Sequence, residues 1–392
     1  MTRAYLLAGC RTPIGRFQGS LAHLTAPELA APVIAEALCR AQIDVAAVDE
    51  VVLGHVLSAG VGQAPARQAA LAAGLPHTVA AASVNKVCGS GLKAVMLADQ
   101  AIRAGDATVI VAGGMESMSR APYLLPGVRQ GWKFGDRPAV DSMLSDGLWC
   151  SFENCAMGTE ADFIAALHSV SRADQDAFAL ESHRRAVAAI AAGEFAAETV
   201  PFAVPVGKTT QRFDRDEGPR ADTSLTALAA LKPSFAGTGT VTAGNSSQLS
   251  DGAAAVVVAS EAVARSHSSP LRARIVAAAT AGVAPKEVFI APVRAVERVL
   301  AKAGLKLRDI DLVEMNEAFA AQMLACMRAL DLDPAKTNVR GGAIALGHPI
   351  GASGARVLVT LLHALSARGL ARGLATLCLG GGNAVAMIIE RE

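Results

Sequence analysis

The chain has 392 residues, 52% hydrophobic and 18% charged, enough apolar material for two or three folded domains and too much for a disordered polymer. A formal net charge of +1 supplies no basic field for nucleic acid, although a local group of arginines could still hold one phosphorylated ligand. No run reaches 18 apolar residues, so no uninterrupted membrane span is expected, and the seven scattered cysteines lack paired metal-ligand spacing, which argues against a disulfide framework and a zinc site.

The first strand-like run covers 4–8, with no signal or transit pattern ahead of it, and the ending Ile389-Glu390-Arg391-Glu392 is no peroxisomal address, so the cytosol is the expected compartment. Thr25-Ala26-Pro27-Glu28 is a capping-box pattern that starts a helix to about residue 41, followed by a strand over 50–56. A helix over 63–73, a β-prone run over 78–84, a helix over 92–104 ending at Gly105 and a strand over 108–112 continue the alternation. Such β-α repeats imply a parallel sheet covered by helices, with functional residues at the carboxyl ends of strands.

From Ser119 to about Leu249 the rhythm is lost, and both tryptophans and eight of the eleven phenylalanines fall there, which marks an insertion. Its bulky residues either build the core of a small irregular subdomain or cover a ligand at the sheet edge. Within it a helix starts at Ser171, and its charges Asp174, Asp176, Glu181, Arg184 and Arg185 read as a solvated face.

A strand over 253–259 returns the chain to the sheet, and after the polar linker 266–270 a second series begins with 271–280. A helix over 293–303, a strand over 309–314, a helix over 317–330, a glycine-rich loop, a helix over 353–367 and strands over 374–379 and 384–389 complete it. Gly89-Ser90-Gly91-Leu92-Lys93 opens a helix leading to a strand that ends in Gly113-Gly114. Ala352-Ser353-Gly354-Ala355-Arg356 opens one leading to Gly380-Gly381-Gly382, so a duplicated core is the economical explanation.

Cys88 stands at the elbow between a strand and a helix, flanked by glycines that clear space for a ligand. A thiol before a helix N-terminus faces free N–H groups that favour thiolate, so a lowered pKa and a nucleophilic role are expected; a small buried hydrophobe is the alternative. His348, between Gly347 and Pro349 in a loop rich in glycine, is a candidate general base or a structural histidine. Cys378 ends a strand ahead of three glycines whose N–H groups could approach an oxyanion, and Asn316 is either a helix N-cap or a polar site residue. A thiolate, a base, a second thiol and oxyanion donors together describe acyl transfer through a covalent thioester, and the second thiol suits removal of an α-proton.

The residues Asn85-Lys86-Val87-Cys88-Gly89-Ser90-Gly91, Asn316-Glu317-Ala318-Phe319, the run from Gly341 to Gly351 and Cys378-Leu379-Gly380-Gly381-Gly382 resemble, in order and spacing, those of the thiolases, acetyl-CoA acetyltransferases and 3-ketoacyl-CoA thiolases. The resemblance covers nearly the whole chain. It implies an α/β fold: a five-layered αβαβα core of two similar halves, 1–118 with 249–265 and 271–392, and an inserted loop domain over 119–248 for CoA and substrate. It also implies a homotetramer built as a dimer of dimers, acyl-CoA substrates with coenzyme A itself as substrate, no prosthetic group or metal, and no nucleic-acid or membrane partner.

By the same resemblance Cys88 is the cysteine that becomes acylated and His348 takes its proton, while Cys378 is the acid and base at the α-carbon. Asn316 holds a water that with His348 forms one oxyanion hole, and the N–H groups of Cys88 and Gly380 form the other. Leu148, Met157, Arg220, Phe235, Ala243, Ser247, Ala318 and Phe319 are implied along the CoA path. The chain departs from the family pattern at Ala156, where a histidine is common, at Phe289 in the loop 288–292, and at Asn383, where a methionine is common. A ketoacyl synthase, which pairs its cysteine with two histidines, is the related alternative, and Cys378 counts against it. A catalytically silent acyl-CoA carrier is the alternative from another class, and it has no use for two placed thiols.

Overall fold

In the computed structural model, which describes residues 2–392, most runs without polar alternation become strands buried on both faces, while the edge run 80–84 stays partly exposed. The first half holds β1 (Ala4–Arg11), β2 (Glu50–Gly54), β3 (Ala80–Val84), β4 (Val109–Ser117) and β5 (Ser250–Ser260), and the second holds β6 (Ala273–Gly282), β7 (Leu312–Met315), β8 (Arg372–Leu379) and β9 (Asn383–Arg391). Among the described residues these join in the order β7-β8-β9-β6-β1-β5-β4-β2-β3. From the middle outward, each half runs first strand, last strand, penultimate strand, second strand.

The halves also match in detail. Both first strands carry a register shift against their antiparallel neighbour, between Leu6 and Ala8 in β1 and between Ile275 and Ala277 in β6. They meet antiparallel over only two pairs, Tyr5 with Arg274 and Leu6 with Ala273, as a two-fold relation requires. Where the first half has β3 as its edge, the second has a single parallel bridge, Val313 to Thr337.

The sheet is mixed, which corrects the expectation of a parallel one. Only β2–β3, β2–β4 and β7–β8 are parallel, because the last strand of each half returns between the first and the penultimate strand and runs antiparallel to both. The parallel strands are nevertheless those that lead into Cys88 and Asn316.

The helices are α1 (Ala26–Ala41), α2 (Pro65–Ala72), α3 (Ser90–Ala104), α4 (Met157–Leu167), α5 (Arg172–Ala191), α6 (Ala291–Ala303), α7 (Ala320–Leu330) and α8 (Ile350–Arg368), beside shorter turns. Helices α1 and α2 cover the outer face of the first sheet, α6 covers that of the second, and α3 and α8 lie between the sheets, giving the αβαβα layering. The capping box at Thr25 forms, with Glu28 N–H donating to Thr25 Oγ1 at 3.4 Å and Thr25 N–H to Glu28 Oε2 at 2.8 Å. Helix α8 is long and apolar enough to cross a membrane by length and composition only, and it is buried from Ile350 to Leu365 because both of its sides face a sheet.

Two expectations for the insertion fail. Phe195 and Phe213 are buried, but Trp132, Phe134, Trp149, Phe152, Phe163 and Phe235 are exposed, so most of its aromatics build no subdomain core. On α5, Asp176 is buried rather than solvated, because Arg172 at 2.8 Å and Asn245 Nδ2 at 3.0 Å satisfy its carboxylate.

Candidate active site

Cys88 follows β3 on an elbow. Val87, just before it, has φ +48°, a left-handed conformation that costs a β-branched residue about 1–3 kcal/mol. Local hydrogen bonds hold it there: Val87 N–H donates to Asn85 Oδ1 at 2.9 Å, Lys86 N–H donates to Ser90 Oγ at 2.8 Å, and that hydroxyl donates to Val87 O at 2.6 Å. The strained turn aims the thiol, and the N–H groups of Cys88 itself and of Gly380 point at its sulfur.

The resting state of that thiol differs from the expectation. Although Cys88 is half-buried as a residue, its sulfur is enclosed, and burial pushes the thiol up to about 12 against the two N–H donors, with the Glu116 carboxylate adding to the rise. Desolvation outweighs the two N–H donors, so Cys88 rests as a thiol. Cys378, buried at the end of β8, is raised well above an ordinary thiol by burial first and by the neighbouring Cys88 and Cys326 sulfurs next. The Cys88 and Cys378 sulfurs are thus near enough for the first to act electrostatically on the second.

His348 is fixed from three sides. Its N–H donates to Gln248 O at 2.9 Å and Ser250 Oγ at 3.3 Å, and its Nδ1 lies 2.6 Å from Ser353 Oγ. The Ser353 hydroxyl gives its one proton to Pro349 O at 2.9 Å, so it accepts from Nδ1–H and leaves the lone pair on Nε2. Burial, with the Arg356 cation second, holds the ring down to about 3, so the imidazole is neutral. At rest the Cys88 thiol is neutral, and the His348 imidazole is neutral with its lone pair on Nε2.

Asn316 is fully buried just after β7 and is no N-cap, since α7 starts at Ala320 with Phe319 as its cap. Its Nδ2 lies 3.5 Å from His348 Nε2, and its Oδ1 accepts from Arg356 Nη2 at 3.4 Å.

Loops from opposite halves meet because α3 and α8 touch backbone to backbone. A Cβ on Gly91 would lie 2.7 Å from Ala355 N, and one on Gly354 would strike Leu92 N. Only glycine at these two matching positions lets the helix starts approach, which brings the segments ahead of them, with Cys88 and His348, to one side.

Behind the elbow, Glu116 accepts N–H groups from Val56 at 3.2 Å, Leu57 at 3.1 Å and Gly351 at 2.9 Å, and faces His55 Nε2 at 3.4 Å. Burial raises Glu116 to about 8 and lowers His55 to about 4. Sequence reading missed Glu116, Ser353 and Arg356. The one available signal was spacing, since Ser353 and Arg356 fall in the first two turns of α8, just after His348.

Of the remaining candidates, Leu148 packs in the cluster that includes Cys88, Val56, Leu57 and Ile350. Met157, Ala318 and Phe319 pack with Cys378 and Phe289, the Phe289 and Phe319 rings standing edge to face at 5.0 Å. Phe235 stacks edge-on against Phe319 at 6.2 Å, and Ser247 N–H donates to Ala318 O at 3.0 Å. Gly380 is half-buried beside Val87 and Met157. Arg220 and Ala243 are exposed and join none of these contacts among the described residues; the Arg220 N–H donates to His183 Nδ1 at 3.1 Å. Among the described residues no group of His, Cys, Asp and Glu is placed to hold a metal ion.

The model of the thiolase N-terminal domain matches residues 4–262 and that of the thiolase C-terminal domain matches 269–391. The chain is 54% identical to an acetyl-CoA acetyltransferase of Pseudomonas aeruginosa and 53% identical to one of Escherichia coli, over 100% of each sequence. It superimposes on the crystal structure of the Bacillus anthracis acetyl-CoA acetyltransferase with a TM-score of 0.97 at 43% identity, covering 100% of this chain and 99% of that one. With domain matches over nearly every residue and an elbow thiol whose neighbours come from both domains, the chain belongs to the thiolase family.

Proposed function

We propose that this protein is an acyltransferase that moves acyl groups between CoA thioesters, cleaving 3-ketoacyl-CoA with CoA or joining two acetyl-CoA molecules, through an acyl-Cys88 intermediate. The observation that carries it is the convergence on one sulfur of two backbone N–H donors, from Cys88 and Gly380, with a second thiol alongside.

In the cleavage direction, His348 Nε2 takes the Cys88 proton as the sulfur bonds to the 3-keto carbon. The N–H groups of Cys88 and Gly380 receive the charge on that oxygen. When the carbon–carbon bond breaks, the acetyl fragment leaves as a carbanion delocalised onto its thioester oxygen, which faces Asn316 and His348, and Cys378 protonates its carbon. The Cys378 thiolate then takes the proton of incoming CoA, whose sulfur attacks acyl-Cys88. The departing Cys88 sulfur recovers its proton from His348, and both groups return to their starting states. Each oxyanion donor is worth roughly 3–4 kcal/mol of barrier. Synthesis is the same path reversed.

Leu148, Met157, Arg220, Phe235, Ala243, Ser247, Ala318 and Phe319 line the CoA path in this reading, with 119–248 as the inserted loop domain between halves 1–118 with 249–265 and 271–392. Coenzyme A enters as substrate, with no prosthetic group. The Phe289 and Phe319 rings packed beside Cys378 support a short acyl group. Tyr123, Leu125, Val128, Trp132 and Phe134, exposed on one excursion of the insertion, support association with another copy of this chain, here proposed as a homotetramer of paired dimers; the proposed compartment is the cytoplasm. The test is incubation with acetyl-CoA followed by peptide mass analysis, together with thiolysis rates on acetoacetyl-CoA and longer 3-ketoacyl-CoA esters. Acetyl-Cys88 and fast cleavage of acetoacetyl-CoA are expected, and an unlabelled Cys88 would sink the reading.

A further inference from the structure

Arg356 projects from α8 into the space between Asn316, His348 and Glu314, and its side chain is almost fully buried. A buried guanidinium normally has its N–H groups engaged, and this one does not. Nη2 donates to Asn316 Oδ1 at 3.4 Å, Nη1 stands 3.9 Å from Glu314 Oε2, and Nε and Nη1 have no hydrogen-bond partner among the described residues. A site that leaves a desolvated cation so poorly paired costs stability, and function is the reason such sites persist.

We infer that Arg356 is the positioning residue of the reaction proposed above: it holds Asn316 by its oxygen, so that Nδ2 faces His348 Nε2, and sets an incompletely paired cation behind the oxyanion site. The inference rests on that reading of the site.

The amide has two orientations, and both neighbours choose the same one. Turned over, Oδ1 would face the Nε2 lone pair and Nδ2 would face the guanidinium N–H groups, acceptor against acceptor and donor against donor. The Asn316 N–H, donating to Thr376 O at 3.0 Å, anchors the backbone, so the side-chain torsion is what Arg356 controls.

The charge acts as well, since the groups facing Arg356 do not neutralise it. These are Glu314, Glu317, Glu198 and Arg11, with Arg340 acting on Glu314. Glu314 is raised to about 8 by burial, so it is mostly uncharged at neutral pH, and Glu317 is raised by burial too. Glu198 is committed to Arg11 at 2.6 Å and Arg340 at 3.4 Å. The guanidinium keeps its proton throughout. Its field favours negative charge on a thioester oxygen near Asn316 and disfavours a proton on His348.

A double-mutant cycle with Arg356→Met and Asn316→Ala tests this, read by thiolysis of acetoacetyl-CoA and by acetyl-Cys88 formation. Arg356→Met should lower kcat about 10- to 100-fold with KM changed less, and its effect should shrink below about threefold in the Asn316→Ala background. Penalties that multiply would overturn the role. In kcat/KM the acid limb should move to higher pH, because His348 loses a neighbouring cation; an unmoved limb overturns the contribution of charge. Should Arg356→Met fail to fold, Arg356→Lys serves: charge without the planar fork should leave the acid limb in place while kcat still falls, and full kcat would overturn the hold on Asn316. A wild-type protein that neither cleaves acetoacetyl-CoA nor forms acetyl-Cys88 refutes the thiolase reading itself, whereas an active wild type with uncoupled variants refutes only the role of Arg356.

Discussion

The two halves share a strand order and matching bulges, yet they bring different chemistry to the pocket. The first half ends β3 in a tight elbow, held by Asn85 and Ser90, that presents the Cys88 thiol. In the second, the corresponding edge is reduced to the bridge Val313 to Thr337, and a long glycine-rich run carries the chain to His348 ahead of α8. Asn316 and Cys378 come from strand ends of that second half. Duplication supplies two strand-end sites facing one pocket, and in the proposed mechanism divergence of the loops gives the first the sulfur that bonds and the second the groups that move protons.

The sharpest way to break this division is at Cys88. Cys88→Ser should end acyl-enzyme formation and lower thiolysis about 10⁴-fold or more, read by intact mass and by loss of acetoacetyl-CoA absorbance. Normal turnover by that variant would mean that the first half does not carry the nucleophile. Cys378→Ser probes the other side: acetyl-Cys88 should still form, while carbon–carbon cleavage and synthesis fall about 10³-fold. If acylation and cleavage fell together, the two sulfurs would not have separate tasks.

Alkylation sharpens the contrast between the expected thiolate and the buried thiol. Because burial pushes Cys88 up to about 12, its thiolate is scarce at pH 7, and iodoacetamide labelling should quicken about tenfold per pH unit from 7 to 10. A plateau below pH 8 would show that the helix end wins over desolvation after all. The smallest effect is expected where the halves touch: Gly354→Ala, whose Cβ would strike Leu92 N, should destabilise the fold by about 1–3 kcal/mol in urea unfolding. A neutral result would mean that α3 and α8 can part without cost.

Much of the fold was legible because local signals agreed with it. The capping box at Thr25, the stop at Gly105, the elbow at Cys88 and the repeated Gly-Ser-Gly and Ala-Ser-Gly helix starts each rest on residues a few positions apart. Strand direction was not legible, since β5 is separated from β4 by the whole insertion and pairs antiparallel beside it. The aromatics of the insertion misled for a related reason: side-chain size says nothing about whether a partner surface lies within the same chain.

The sequence alone determined the family, the α/β alternation, the doubling of the core and the candidate residues Cys88, His348, Cys378 and Asn316, because each is written in short motifs with fixed spacing. Only the tertiary structure decided their electrostatics. That Cys88 rests as a thiol, that His348 offers Nε2, and that Arg356 and Glu116 stand behind them depends on how completely water is excluded and on which groups from distant segments share the space, quantities that exist only once both halves have closed on one another.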